Sequence, residues 1–260
     1  MVLKKKIGIV TGGAGFLGLE HVLALGEIET HVIIIDNNLK NIEKAKKFLK
    51  NKQLSYEFFL VDICNEKKLK SIAKKIIKKY RNINYLINNA SIDYVPRSKS
   101  KVLNFENFNK NIWKKEIDIG LTGSFLCSKI FGTEMKKNGG GVIINVASDL
   151  SVIAPNQSLY SHLNFTKPIT YSVIKHGIIG LTKYLATYWA KDKIRVNALS
   201  PGGVVNNQDL KFKKKIKKLI PMARMAKKHE YRGAIKFLCS EDSSYMTGHN
   251  LIIDGGRSVW

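Results

Sequence analysis

Tyr171-Ser172-Val173-Ile174-Lys175 places a phenol and an ammonium four residues apart. On a helix, positions i and i+4 share a face, so both groups can point into one cleft. A tyrosine ordinarily titrates near ~10, and bringing it to ~7 takes about 4 kcal/mol of preferential phenolate stabilisation. A neighbouring lysine cation supplies part of that. The phenol can then give or take a proton. Tyr-x-x-x-Lys alone is common by chance on helices, and a buried Tyr beside a solvated Lys would explain it equally well. Context comes from Ser148, which closes the apolar run Val142-Ile143-Ile144-Asn145-Val146-Ala147-Ser148. A hydroxyl at the carboxyl end of a strand can bond a substrate oxygen beside the phenol, although a serine there can also simply cap a turn.

A second group of residues has the character of a dinucleotide cradle. Thr11-Gly12-Gly13-Ala14-Gly15-Phe16-Leu17-Gly18 follows an apolar strand-like run. Glycines allow a tight turn, and the backbone N–H groups of the turn and the following helix can meet a pyrophosphate. Asp36 closes Val32-Ile33-Ile34-Ile35-Asp36, where an acidic group would bind ribose hydroxyls. Its alternative is a turn aspartate before Asn37-Asn38. Asp62, after Leu60-Val61, stands where a side chain can meet an adenine. Asn88-Asn89-Ala90 ends the fourth strand-like run, where Asn can satisfy strand-end backbone groups and also shape the cofactor floor.

These residues need a scaffold, and the hydrophobic pattern describes one. Short β-branched runs at 7–10, 32–35, 58–61, 85–87, 142–146, 194–198 and 251–253 alternate with amphipathic stretches at 41–52, 65–80, 109–136, 172–190 and 228–238. The alternation predicts an α/β fold, a doubly wound Rossmann-type sheet of seven parallel strands with helices on both faces. Residues 1–260 read as one domain. Residues 149–170 form a long polar and aromatic connection, a candidate substrate loop. Residues 202–222, with a Lys-rich helix over 210–220 stopped by Pro221, form a candidate lid.

The 260 residues carry 44 Lys+Arg against 20 Asp+Glu, a formal charge of +24. Most of the excess is lysine along helices, with no zinc-finger, RNP or basic-zipper pattern, so a nucleic-acid partner is not expected. No apolar run approaches the ~20 residues of a membrane span. Lys4-Lys5-Lys6 superficially resembles a signal peptide, but Thr11-Gly12-Gly13 breaks the apolar run. Cys64, Cys127 and Cys239 are few and far apart, which fits a reducing cytoplasm. The six histidines form no close pair, and no metal is expected. His162, in the long connection, can touch substrate, although a solvent-facing polar role is the more usual one for such a residue. Arg97, Lys167 and Arg224 are candidate phosphate ligands, each read singly as surface charge.

Taken in order, Thr11–Gly18, Asp36, Asp62, Asn88-Asn89-Ala90, Ser148, Tyr171-x-x-x-Lys175, Arg195-Val196-Asn197, Pro201-Gly202 and Asp254-Gly255-Gly256 resemble the single-domain short-chain dehydrogenases/reductases over essentially the whole chain. The resemblance implies a nicotinamide cofactor and catalysis by Ser148, Tyr171 and Lys175. It implies cofactor contacts from Gly12, Gly15, Phe16, Leu17, Gly18, Asp36, Asp62, Ile63, Asn89, Ala90, Tyr171, Lys175, Pro201, Gly202 and Val204. It also implies a homodimer or homotetramer packed through the helices near 109–136 and 172–190, where Trp113, Phe125, Phe131, Tyr184, Tyr188 and Trp189 occupy more than one face. Asp36 points to NAD over NADP. The segments 148–155, 167–171 and 199–204 are similar to oxidoreductases of bacterial flagellin-modification and nonulosonic (legionaminic-type) sugar clusters, which implies a sugar-phosphate or amino-sugar precursor as substrate.

Two departures stand out. Gly12-x-x-Gly15-x-x-Gly18 is spaced as in the sugar-nucleotide epimerase branch, and Gly120 occupies a place where the family usually has an Asn that helps hold a proton-relay water. They keep two alternatives open, an NAD-retaining sugar epimerase and a weak or inactive dinucleotide-binding module. For an active enzyme, the expectation at Gly120 is a kink, close helix packing, or a freed carbonyl that holds the water. Gly120→Asn is then expected to be tolerated.

Overall fold

The computed structural model describes residues 5–96, 104–163 and 165–260. Seven strands form one sheet: β1 (Ile7–Thr11), β2 (His31–Asp36), β3 (Tyr56–Leu60), β4 (Tyr85–Asn88), β5 (Gly141–Val146), β6 (Ile194–Pro201) and β7 (Asn250–Ile253). Every pairing is parallel, in the order β3-β2-β1-β4-β5-β6-β7. Strand order reverses between β1 and β4. In such sheets the carboxyl edge at the reversal is where a ligand crevice opens.

The central strands are apolar on both faces because helices cover both. Val10, Val32, Ile34, Ile87 and Ile144 face α1 (Gly18–Gly26) and α8 (Arg232–Cys239), meeting Val22, Leu25, Ile235 and Leu238. Ile9, Ile33, Leu86 and Ile143 face α3 (Glu66–Tyr80), α5 (Gly123–Lys137) and α6 (Ile169–Trp189), meeting Leu69, Ile76, Phe131 and Trp189. A smaller helix, α2 (Leu39–Leu49), turns Ile42 and Ala45 onto Ala14 in the glycine turn.

The helix predicted over 109–136 is interrupted. Lys110–Ile117 forms α4, Asp118–Thr122 is a single π-helical turn, and α5 follows. Gly120 lies inside that turn. Residues 210–220 also divide: Leu210–Lys217 is helix α7, and Leu219–Ile220 turn inward. The long connection after β5 is not loose. Leu159, Tyr160, Leu163 and Phe165 bury themselves against Phe212, Ile216, Ile220 and Met225, so the predicted substrate loop and lid share a small core of their own. His162 Nε2 pairs with Asp209 Oδ1 at 2.6 Å across them. Asp209 also caps α7, accepting from the N–H groups of Lys211 and Phe212. Among the described residues no helix is long and apolar enough to cross a membrane.

Candidate active site

A cleft of about 610 Å³ runs along the carboxyl edge of the sheet. At one end lies the glycine turn. Gly12 has φ +60, and Ala14 N–H donates to Asp36 Oδ2 at 3.2 Å while Asn38 N–H donates to Oδ1 at 3.0 Å. Asp36 therefore serves the turn and faces the cleft together. Among the described residues the N–H groups of Phe16 and Leu17 have no protein acceptor, and they precede the amino end of α1. That arrangement fits a pyrophosphate. Asn89 shapes the floor: its Nδ2 donates to the carbonyls of Thr11 (3.0 Å) and Gly12 (3.1 Å), and its own N–H reaches Thr11 Oγ1. Asp62 Oδ1 accepts from Cys64 N–H at 2.9 Å.

Gly12, Gly15, Phe16, Leu17, Asp36, Asp62, Ile63, Asn89, Ala90, Pro201, Gly202 and Val204 all line the cleft with Ser148, Tyr171 and Lys175. Gly18 does not. A Cβ there would overlap the Gly12 carbonyl oxygen and press on Gly13 Cα at 2.8 Å. Its part is to let α1 approach the turn.

At the other end lies the chemistry. Helix α6 starts after Pro168, and Tyr171 sits in its first turn, half-buried on the cleft wall. One turn on, Lys175 is buried and donates from Nζ to the Val146 carbonyl at the end of β5, 2.9 Å away. The helix is keyed to the sheet by a buried polar chain: Asn88 donates to Asn145, which donates to Thr182 on the same face as Lys175. Burial pushes the Tyr171 phenol well above its usual range, and the carboxylates of Asp93 and Asp149 add to this. A hydrogen bond with Ser148 opposes it. Burial pushes the Lys175 ammonium down to about 8. Lys167 Nζ stands 3.6 Å from the Tyr171 ring centroid and is paired with Asp93 at 2.5 Å.

Ser148 was expected to end β5, but the strand stops at Val146. The serine lies two residues beyond, in extended backbone, and caps the short 3₁₀ turn Asp149–Ser151. There its hydroxyl accepts from Leu150 N–H at 3.2 Å and donates to Asp149 Oδ1 at 2.9 Å.

The structure also accounts for Gly120. It lies within the π-helical turn, and a Cβ would come within 2.7 Å of Ile174 Cγ2 on α6. The expectation that Gly120→Asn is tolerated is therefore corrected. The Gly120 carbonyl accepts from Ser124 Oγ at 3.0 Å.

Of the three candidate anion ligands, Lys167 faces the cleft. Arg224 is held by Glu230 through two bonds of 2.8 and 2.7 Å, away from the cleft, and Arg97 lies outside the described residues. His162 is half-buried as the partner of Asp209. Sequence reasoning missed a buried ion pair on the cleft wall, Asp149 with Arg257 at 2.7 Å. It also missed Glu116, which is buried and accepts from Tyr94 and Thr170, tying α4 to the start of α6. The adjacency of Asp149 to Ser148 was a signal for the first; nothing local marked Arg257 or Glu116.

Comparison with known proteins gives the family. The family described as Enoyl-(Acyl carrier protein) reductase matches residues 16–258. An NAD-dependent glycerol dehydrogenase from Listeria innocua is 31% identical over 259 residues, covering 98% of this chain and 94% of that one. The chain is a short-chain dehydrogenase/reductase. Its reaction class is accordingly oxidoreduction at a CH–OH group. Among solved relatives in the family, a short-chain dehydrogenase from Leptospira borgpetersenii with bound NAD⁺ superposes with a TM-score of 0.86 at 31% identity, covering 98% and 94% of the two chains. A Beutenbergia cavernae protein assigned as an NAD(P)-dependent gluconate 5-dehydrogenase, with bound NADP at low occupancy, gives 0.83 at 26% identity, covering 98% and 97%.

Proposed function

We propose that the cleft performs NAD-linked oxidation of a secondary alcohol, or reduction of the ketone, on a polyol- or sugar-like substrate. The observation that carries this is the meeting of Tyr171, Lys175 and Ser148 on one cleft wall, with the glycine turn and Asp36 at the opposite end. When bound, a nicotinamide would supply the two-electron donor or acceptor. The protein's own part is acid–base and positional. Ser148 binds the substrate oxygen, Tyr171 exchanges a proton with it, and the Lys175 cation favours the phenolate. The fine substrate class we infer is a sugar-phosphate or amino-sugar precursor. Support comes from the sequence resemblance of the 148–155 and 199–204 segments, and from a cleft wall that mixes Lys167, Asp93, Asn206 and Gln208 with the apolar Tyr160 and Phe212.

NAD is preferred over NADP in this reading. A 2′-phosphate beside Asp36 would meet a carboxylate, and like charges ~4 Å apart repel by about 4 kcal/mol per pair at an effective dielectric of ~20. The relatives include both NAD and NADP complexes, so calorimetry with each nucleotide is the deciding measurement. Equal affinities would sink the preference. A panel of polyols, sugar phosphates and nucleotide sugars, followed by nicotinamide absorbance, tests the substrate class. Net cofactor reduction separates this reading from an NAD-retaining epimerase, and its absence across the panel would favour a binding module.

We also propose a dimer or tetramer through α4–α6. Phe131 and Trp189 are buried within the protomer, but Phe125, Tyr184 and Tyr188 are exposed at 46%, 63% and 61%, and the two tyrosine rings stack 5.8 Å apart. Sedimentation across a concentration series checks this; a monomer throughout would reject it.

A further inference from the structure

Two carboxylates on the cleft wall are paired with cations, and they are held very differently. Asp149 is buried and fixed by Arg257 at 2.7 Å. Asp93 is not: its side chain is 56% exposed, and among the described residues its carboxylate accepts only from Lys167. Lys167 is the reverse. Its side chain is 9% exposed and lines the cleft, with the ammonium 3.6 Å from the centre of the Tyr171 ring. The face of an aromatic ring attracts a cation at that range. The backbone of Lys167 is clamped as well. Its N–H donates to Gln157 Oε1 at 3.0 Å, and Gln157 Nε2 donates to its carbonyl at 3.2 Å. Pro168 follows and disfavours helical backbone at residue 167. The cation is therefore built into the chemical end of the cleft, while its present partner faces solvent. An ion pair with one exposed member contributes little to stability, so the contact is exchangeable. Lys175, the other cation beside the phenol, donates to the Val146 carbonyl.

We infer that Lys167 is the subsite for an anionic group of the substrate, which takes the place of Asp93. The inference rests on the role given to Tyr171 above, and it deepens that reading by fixing where the substrate carries its charge. An ammonium over the ring face is within a few ångströms of the phenol oxygen as well. With C–C bonds of ~1.5 Å, an acid group on Lys167 belongs to the carbon next to the reacting carbinol or to the one after it. A carboxylate and a phosphate fit alike, because an ammonium is a compact charge without the planar fork of an arginine. One anion replaces another, so the charge around the phenol changes little on binding. The subsite also selects. A neutral polyol gains nothing from Lys167, and an amine at that place would be repelled by it.

The test uses glycerol and three of its derivatives: glycerate, glycerol 3-phosphate and the amine 3-aminopropane-1,2-diol. Binding is read by calorimetry on the full chain, without nucleotide and with NADH, a complex in which no alcohol can be oxidised. In the parent, glycerate or glycerol 3-phosphate is expected to bind at least ~tenfold tighter than glycerol, the size of a charge-assisted contact. Whichever is tighter names the acid group as carboxylate or phosphate. Lys167→Met should bring both anions to the level of glycerol. Asp93 is exposed, so that variant strands no buried charge. Asp93→Asn removes the competing anion and should tighten both anions several-fold. Lys115, an exposed lysine of the same cleft, is the control for general positive charge: Lys115→Met should keep the preference. The inference is overturned if the parent binds the anions no better than glycerol, or prefers the amine. It is equally overturned if the preference survives Lys167→Met, or falls as far in Lys115→Met. No turnover is needed, so a parent that binds the anions through Lys167 but transfers no hydride would sink the oxidoreductase reading and leave the subsite standing.

Discussion

The two ends of the cleft are built from different materials. Around the glycine turn, shape is set by backbone packed on backbone: Gly18 against Gly12, Asn89 across the carbonyls of Thr11 and Gly12, and Asp36 bonded to two N–H groups. Around Tyr171, shape is set by buried ionisable side chains: Lys175, the Asp149–Arg257 pair and Glu116. The first end has no room for volume. The second has little water to support its charges, so each is held by a specific partner. Presenting backbone N–H groups to a pyrophosphate needs a fixed turn, and moving a proton needs groups whose charge can be tuned.

The largest expected effect tests the chemical end. Tyr171→Phe removes the transferable proton and should lower turnover by at least ~100-fold, with NAD binding little changed. Steady-state rates and calorimetry check both halves of that statement. Near-normal turnover, with chemistry rate-limiting, would break the comparison outright.

Lys175→Met asks what the buried charge costs. The ammonium is pushed down to about 8 in the folded protein from an ordinary value of 10.5, so below pH 8 the fold carries a charging penalty. The unfolded chain binds more protons between those values, so stability from this group rises with pH across that window and is flat below it. The substitution should therefore abolish activity yet stabilise the nucleotide-free protein at pH 7, by at most about 3 kcal/mol. The advantage should fade above pH 8. Urea unfolding at neutral and alkaline pH reads it, and equal stabilisation at both would contradict the assignment.

Two glycine substitutions sharpen the contrast from the other side. Gly18→Ala forces a Cβ onto the Gly12 carbonyl and should cost ~1–3 kcal/mol, with NAD affinity falling at least tenfold. Gly120→Asn should cost a similar or smaller amount, because Ile174 is a side chain and can yield where backbone cannot. Adding Ile174→Ala should recover part of that loss. If Gly120→Asn were as stable as the parent, the packing account of this position would be wrong.

How much of this was legible in the residues can be judged position by position. The seven strands were readable because each is a short run rich in β-branched or aromatic residues and bounded by turn residues, and all seven form within a few residues of expectation. The break in the 109–136 helix was not, since a π turn preserves helical hydrophobic periodicity while shifting the register by one residue. Ser148 was expected to end β5, while the strand stops two residues earlier at Val146, because Ala147 and Ser148 continue the apolar and small pattern beyond it.

The sequence by itself determined the local pieces: the glycine turn, Asp36 at a strand end, and the four-residue spacing of Tyr171 and Lys175. Each depends on neighbours within a turn or a strand, which is the range over which backbone geometry is coded. Tertiary structure decided the pairings that cross the chain. Asp149 meets Arg257, Lys167 meets Asp93, Glu116 meets Thr170, and Gly120 meets Ile174. None has a sequence period, because a buried charge or a missing Cβ acquires its meaning from whatever the fold brings within a few ångströms of it.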